Sequence, residues 1–407
     1  MLWKNRLLSL FFILLLCPLN VQGKGFSTVY VLGDSLSDQG NLFQATLALT
    51  GLGIPAEDHY YLGRFSNGGN YVDLLADKLD LFIAPTCFGG GNFAYGAART
   101  DYNSVEQYLP VGAYPWSLNL QRMEFSGQAI DDPEALYVVF SGSNDMADLI
   151  GAVLTQGPDV AGPVLGQVVE GIRQTVEAFI AAGARDILVP LIPDLGLVPL
   201  VTRQDPLPGL PPDSTLVAQT ATALTAQLNM AIVEMLKNYP EINIIVFDTF
   251  SALRQIVATP DTYGLENVDE PCYTGFMEPA GPEDTVCDNP DTYLFWDAEH
   301  PTTATHQVFA DLMLRTMIDA MLEDFGDDLQ PLASLPKNTT SLIQKLARIK
   351  QLLADENRHN DLAAIANLNV LGKMLEMLER SSLVDIDASA LSARARQIAE
   401  LVEASRY

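Results

Sequence analysis

A serine, a histidine and an aspartate in this chain of 407 residues have the types and surroundings for nucleophilic acyl chemistry. The stretch VYVLGDSLSDQGN, residues 29–41, passes abruptly from four apolar residues into small and polar ones around Gly33, Asp34 and Ser35. Taken alone it favours a helix cap, in which Asp34, Ser35 or Ser37 accepts a backbone N–H. With a base within reach, Ser35 is instead a nucleophile, and N–H groups beside it can receive the charge that develops on an attacked carbonyl. Only four histidines are present. His59 and His359 lie in polar surroundings without a comparable acidic partner, whereas His300, in FWDAEHPTTATH (295–306), follows Asp297 at a three-residue spacing. An aspartate on one ring nitrogen lets a histidine take the serine proton through the other, worth about 10²–10⁴-fold. Ser35, Asp297 and His300 are therefore the candidate triad. Asp297, Glu299, His300 and His306 are also candidate metal ligands, but their spacing matches no zinc signature, and no metal is assigned.

Two further segments suit such a triad. In GGGNFAYGAA, residues 89–98, the glycines permit close backbone approach, so an N–H there can face an oxyanion; a plain turn is the simpler explanation. In VVFSGSNDMAD, residues 138–148, a strand-like run ends at Gly142-Ser143-Asn144-Asp145, where the Asn144 amide can serve as a second donor or cap the next helix.

The elements that must position these residues follow from periodicity. STVYVLG, ALYVVFSG, RDILVPLIP and EINIIVFDTF read as strands, and VLGQVVEGIRQTVEAFIAAG and STLVAQTATALTAQLNMAIVEMLKNY as helices. Strands alternating with helices predict a parallel sheet covered on both faces, with ligands at the carboxyl ends of its strands. Ser35, just past its strand, lies where chemistry is expected.

Residues 1–23 read as a signal peptide: Lys4 and Arg6, the apolar run LLSLFFILLLC, then Val21-Gln22-Gly23 as a cleavage site. That apolar run is shorter than the roughly 18 residues a membrane span wants. The expected location is secreted or periplasmic. The net charge of −28 repels nucleic acid and anionic surfaces, so no nucleic-acid partner is assigned. In an oxidising compartment Cys272 and Cys287, which bracket a polar Pro- and Gly-containing segment, are the preferred disulfide, leaving Cys87 as a thiol; other pairings stay open. From Lys337 onward the chain has ten basic and nine acidic residues, against 13 and 42 before it. The composition shift falls in QPLASLPKNTT, residues 330–340, and separates a main domain, 24–330, from a tail, 337–407. Leu342, Leu346, Ile349 and Leu353, then Leu362, Ile365, Leu368, Leu371, Leu375 and Leu378, recur at helical spacing, so the tail is expected to form a helical hairpin or three-helix appendage packed on the main domain.

GDSLSDQGN, GGGNFAYGAA, GSND and DAEHP, in that order, resemble the four sequence blocks of the GDSL or SGNH hydrolases, a superfamily of lipases and esterases. The flanking GRFSNGGNYVDLLADKL and HPTTATHQVFA resemble its larger secreted members. The resemblance implies a three-layer α/β/α sandwich with a central parallel sheet, extended here by the C-terminal helical appendage. It implies Ser35 as nucleophile and, through its own N–H, one oxyanion donor. By the same resemblance Gly96 is expected as the second donor, with Gly91 as the alternative, Asn144 as the third, His300 as the base and Asp297 as its orienting acid. No cofactor is required.

The expected function is a secreted serine ester hydrolase acting through an acyl-enzyme on lipid acyl esters, with lysophospholipids or phospholipids preferred. Transient contact with lipid aggregates or a membrane surface belongs to that expectation. Acyl transfer to another alcohol would use the same residues. The alternatives are a carbohydrate acetyl esterase and, more distantly, a secreted binding module without turnover. The Cys272–Cys287 loop, inserted before the Asp297–His300 block, is a candidate lid. Asn338-Thr339-Thr340 fits a glycosylation acceptor by pattern.

Overall fold

The computed structural model describes residues 25–101, 117–202, 214–330, 340–354, 358–380 and 388–406. The expected signal peptide, most of the 330–340 boundary and Asn338 lie outside the described residues.

In chain order the elements are β1 (Val29–Gly33), α1 (Asn41–Thr50), α2 (Tyr71–Lys78), α3 (Leu118–Gly127), β2 (Leu136–Phe140), α4 (Ser143–Gln156), α5 (Ala161–Ala181) and β3 (Asp186–Pro190). There follow α6 (Pro199–Thr202), α7 (Ser214–Leu236), β4 (Asn243–Phe247), α8 (Thr249–Ala258), β5 (Asn267–Pro271), β6 (Tyr293–Phe295), α9 (Thr303–Leu329), α10 (Thr340–Leu353), α11 (Arg358–Arg380) and α12 (Ala388–Ala404).

The four β-rich runs form one parallel sheet in the order β1-β2-β3-β4. Their register aligns Val29, Leu136, Asp186 and Asn243 at one end, so the carboxyl ends of the strands open on a common edge. Successive side chains of a strand point to opposite faces. In β2, Leu136, Val138 and Phe140 join a core with Leu75 of α2, Leu253 of α8 and Met313 of α9. Tyr137 and Val139 join the opposite core with Phe125 of α3, Met146 of α4, Ile172 of α5 and Leu228 of α7. Burial on both faces explains why LYVVF is apolar throughout rather than alternating. The result is the expected three-layer α/β/α sandwich.

The tail forms three helices. Leu346 and Ile349 of α10, Leu368 and Leu375 of α11, and Ile398 and Leu401 of α12 are buried in the same cluster as Phe325 and Leu329 of α9. Leu362 breaks the expected stripe, standing 50% exposed near the start of α11. Arg394 of α12 makes a forked pair with Asp186, both bonds 2.7 Å, at the amino end of β3. The tail therefore closes over α9 and reaches the end of the sheet opposite Ser35.

Outside the main sheet, β5 and β6 pair in parallel, and the Cys272–Cys287 disulfide closes the loop between them. Cys87 is an exposed free thiol. Three residues of β6 are too few to show a period, which is why the small sheet was not legible beforehand.

Candidate active site

The turn after β1 answers whether Ser35 is a cap. Asp38, not Ser35, collects the amides at the start of α1: Oδ1 accepts from Gly40 and Asn41, each at 2.7 Å, and Oδ2 from Leu42 at 3.1 Å. Ser37 bonds the Tyr71 hydroxyl at 2.8 Å, and Asp34 Oδ1 accepts from Leu36 N–H at 3.1 Å. Ser35 Oγ instead lies 2.9 Å from His300 Nε2. Gly33, the last residue of β1, passes so close to β2 that a Cβ would stand 2.4 Å from the Phe140 carbonyl oxygen. That contact fixes where the turn leaves the sheet.

His300 and Asp297 reach the same edge from the turn between β6 and α9. Asp297 Oδ1 accepts the N–H groups of Glu299 and His300 at 2.8 and 2.7 Å, which folds the DAEH turn around the carboxylate. His300 Nδ1 lies 3.0 Å from Oδ1 and 2.9 Å from Oδ2. The Tyr60 hydroxyl donates to Oδ2 at 2.6 Å. The Phe65 and Phe276 rings lie 5.0 and 6.2 Å from the imidazole and form apolar walls beside it. Residues 35, 297 and 300 thus make one hydrogen-bonded chain across 265 positions of sequence.

Burial works to raise the Asp297 pKa, but His300, the Tyr60 hydroxyl and the Glu299 N–H outweigh it and hold the carboxyl below its ordinary range. Burial works to lower His300, and the charge and hydrogen bond of Asp297 overcome it, so the imidazole is raised above its ordinary value. Such an imidazole is a base in reach of Ser35 and can bear the proton it takes. Burial pushes Asp34 up to about 7, and Asp38 and Asp145 up to about 6, each partly offset by hydrogen bonds. His306 is buried on α9, stacked near Tyr71, and its pKa falls to about 3. It stays apart from the Asp297–His300 pair as a neutral core residue.

The GGGNFAYGAA segment runs beside β1, with Val31 N–H donating to the Gly91 carbonyl, Phe93 N–H to Val31, and Tyr95 N–H to Gly33. This places Gly91 level with the middle of β1, away from Ser35, and brings Gly96 to the carboxyl edge. The expectation that the Gly96 amide faces an oxyanion needs correction: it donates to Asp38 Oδ2 at 2.8 Å. A Cβ on Gly96 would stand 2.3 Å from the Phe65 ring, so a glycine is required there for packing behind His300. Ala97, next in line, holds φ +60°, a strained value for a residue with a Cβ. Asn144, on the first turn of α4, donates Nδ2 to the Ala98 carbonyl at 3.1 Å and so braces this loop. The N–H of Ser35 itself has no hydrogen-bond partner among the described residues.

Asp38, Tyr60, Phe65 and Phe276 were missed in the sequence. Tyr60 sits in EDHYYLGRF, where nothing in type or spacing distinguishes it, and its contact with Asp297 spans 237 positions.

Residues 29–313 match the family described as GDSL-like Lipase/Acylhydrolase. One GDSL esterase/lipase of Arabidopsis thaliana is 31% identical over 322 residues, covering 69% of this chain and 83% of its own length. Another from the same plant is 23% identical over 341 residues, covering 72% and 85%. The secreted effector protein SseJ of Salmonella typhimurium is 26% identical over 302 residues, covering 74% of this chain and 66% of its own.

Proposed function

The chain belongs to the GDSL-like lipase/acylhydrolase family and is a hydrolase acting on esters, and we propose that it is a secreted enzyme that cleaves lipid acyl esters through an acyl-enzyme on Ser35. The observation that carries the mechanism is the unbroken chain from Ser35 Oγ through both ring nitrogens of His300 to Asp297.

Ser35 Oγ attacks the ester carbonyl as its proton passes to His300 Nε2, 2.9 Å away. Asp297 holds Nδ1 and stabilises the imidazolium. The Ser35 N–H and the Asn144 side chain are the donors offered to the oxyanion; the Gly96 amide is committed to Asp38. His300 then protonates the departing alcohol, a water enters, His300 takes its proton, and the carboxylic acid is released with Ser35 restored. The half-buried Phe276 ring beside the base supports an acyl chain as the substrate feature recognised, as does the esterase/lipase name of the relatives. Secretion rests on the leader-like residues 1–23, whose structure lies outside the described residues.

Release of acid by the mature protein and by Ser35→Ala, measured across lysophospholipid, phospholipid, short-chain ester and acetylated sugar, tests the proposal. Long-chain acid released by the wild type and lost by about 10³-fold or more in the variant supports it. Acetate release alone would move the assignment to carbohydrate esters, and activity surviving in Ser35→Ala would remove the nucleophile.

A further inference from the structure

Tyr60 touches both the acid of the triad and the disulfide loop through one oxygen. Its Oη donates to Asp297 Oδ2 at 2.6 Å and accepts the Met277 N–H at 3.1 Å. Met277 lies inside the loop closed by Cys272 and Cys287. The ring is held edge-on against Tyr273 and Trp296, with centroids 5.9 and 6.4 Å away. Two more bonds stitch the same strip of chain to the loop: Ala56 N–H to the Met277 carbonyl at 2.8 Å, and Ala280 N–H to Asp58 Oδ2 at 3.0 Å.

The two oxygens of Asp297 are held differently. Oδ1 is fixed by two backbone amides of its own turn, whereas Oδ2 has only the His300 ring and Tyr60 among the described residues. Removing the Tyr60 hydroxyl would leave Oδ2 of this fully buried carboxylate with the His300 ring as its single partner among the described residues.

We infer that Tyr60 is a positioning residue for the acyl-transfer reaction, whose hydroxyl fixes Asp297 against His300 and makes that fix depend on the Cys272–Cys287 loop. The inference rests on the Ser35–His300–Asp297 mechanism proposed above. The Met277 N–H, the Tyr60 O–H and the Asp297 carboxylate form a chain of bonds running in one direction, in which each bond polarises the next. Burial first, then the Asp297 charge, push the Tyr60 phenol far up, so the group stays protonated and donates. A donor on Oδ2 draws charge from the carboxylate and so weakens the attraction of Asp297 for a proton on His300. The other groups that face His300 are Glu299 on its own turn, Asp34 beyond β1 and His306 on α9, and none of them is altered by a change at Tyr60.

The experiment is the pH profile of kcat/KM for ester hydrolysis by Tyr60→Phe, by the loop-opened Cys272→Ser/Cys287→Ser protein and by the combination of the two. All are normalised to active sites counted with a fluorophosphonate. Tyr60→Phe is expected to lower kcat about ten-fold with KM within two-fold, and to move the acidic limb up by about half a pH unit. Opening the loop should move that limb the same way by less, and should add nothing once Tyr60 is Phe. A purely structural Tyr60 would change the number of active sites and leave the normalised profile on that of the wild type, which overturns the inference. Additive limb shifts from the loop and from Tyr60 would overturn the dependence on the loop. Asp297→Asn serves as the separate control: wild-type turnover in that variant would remove the triad itself, and the role of Tyr60 with it.

Discussion

Asp38 Oδ2 lies 2.8 Å from the Gly96 amide, so the residue that gathers the first amides of α1 also ties down the glycine loop beside Ser35. One buried carboxylate thereby accepts from Gly40, Asn41, Leu42 and Gly96. Under the proposed mechanism, charge developing on the substrate oxygen would then fall to fewer donors, and Asn144 is the side chain whose loss should be felt most. Asn144→Ala is expected to lower kcat by about 10²–10³ while KM changes by less than about three-fold. Steady-state kinetics on a soluble short-chain ester decide it. A KM effect alone would mean that Asn144 only braces the Ala98 carbonyl.

The Ser35–His300–Asp297 line of hydrogen bonds was legible because each member sits in a short local motif whose chemistry constrains its type, and the strands were legible because burial on two faces leaves an apolar run. The commitment of the Gly96 amide was not, since it depends on the direction of one N–H in an irregular loop. Tyr60 was invisible for a different reason: its partner is 237 positions away, and tyrosine is an ordinary core residue. In the tail the leucine spacing showed helices, but not that α12 would reach Asp186, because periodicity gives a face and not its partner.

Asp34 should give a pH-dependent stability term of known sign. Burial raises its pKa to about 7 in the fold from 3.8, so between those values the folded chain keeps a proton that the unfolded chain releases. Its contribution is full below about pH 4 and is lost as pH rises towards 7. Asp34→Asn removes that loss, so relative to wild type the variant should gain up to roughly 3 kcal/mol between pH 5 and pH 8. Asp145 and His300 interact electrostatically with Asp34, so their titration moves with the substitution and the comparison reads Asp34 together with these two neighbours. Urea unfolding at the two pH values measures it, and an equal difference at both would show that Asp34 is not held protonated.

The Cys272–Cys287 loop lies against the site, with Phe276 beside His300. If it restricts entry of long acyl chains, the double serine variant should change the ratio of long-chain to short-chain kcat/KM by several-fold. It should also lose about 3 kcal/mol of stability in the chain-entropy account of a 15-residue loop. A ratio equal to that of the wild type, in protein confirmed folded by circular dichroism, would end the lid hypothesis while leaving the stability prediction standing.

Arg394 couples the tail to the sheet at the end away from Ser35. Its forked bonds to Asp186 are part-buried, with side-chain exposures of 14% and 4%, and Asp324 adds a third contact at 3.2 Å. The pair borders a cavity of about 670 Å³ between α12 and the amino ends of the strands. Removing one member of this part-buried pair leaves the Asp186 charge held by the Asn243 amide, so Arg394→Ala should cost about 1–3 kcal/mol. Arg394→Lys should recover only part of this, because an ammonium cannot make the fork. Replacing both partners, as in Arg394→Met with Asp186→Leu, should recover more than lysine does, since neither charge then remains buried. Urea midpoints for the set test the ranking, and turnover per active site at 25 °C should stay within two-fold of wild type in each variant that is folded. A turnover loss that tracks the stability loss would instead mean that the tail holds the catalytic edge in place through the sheet.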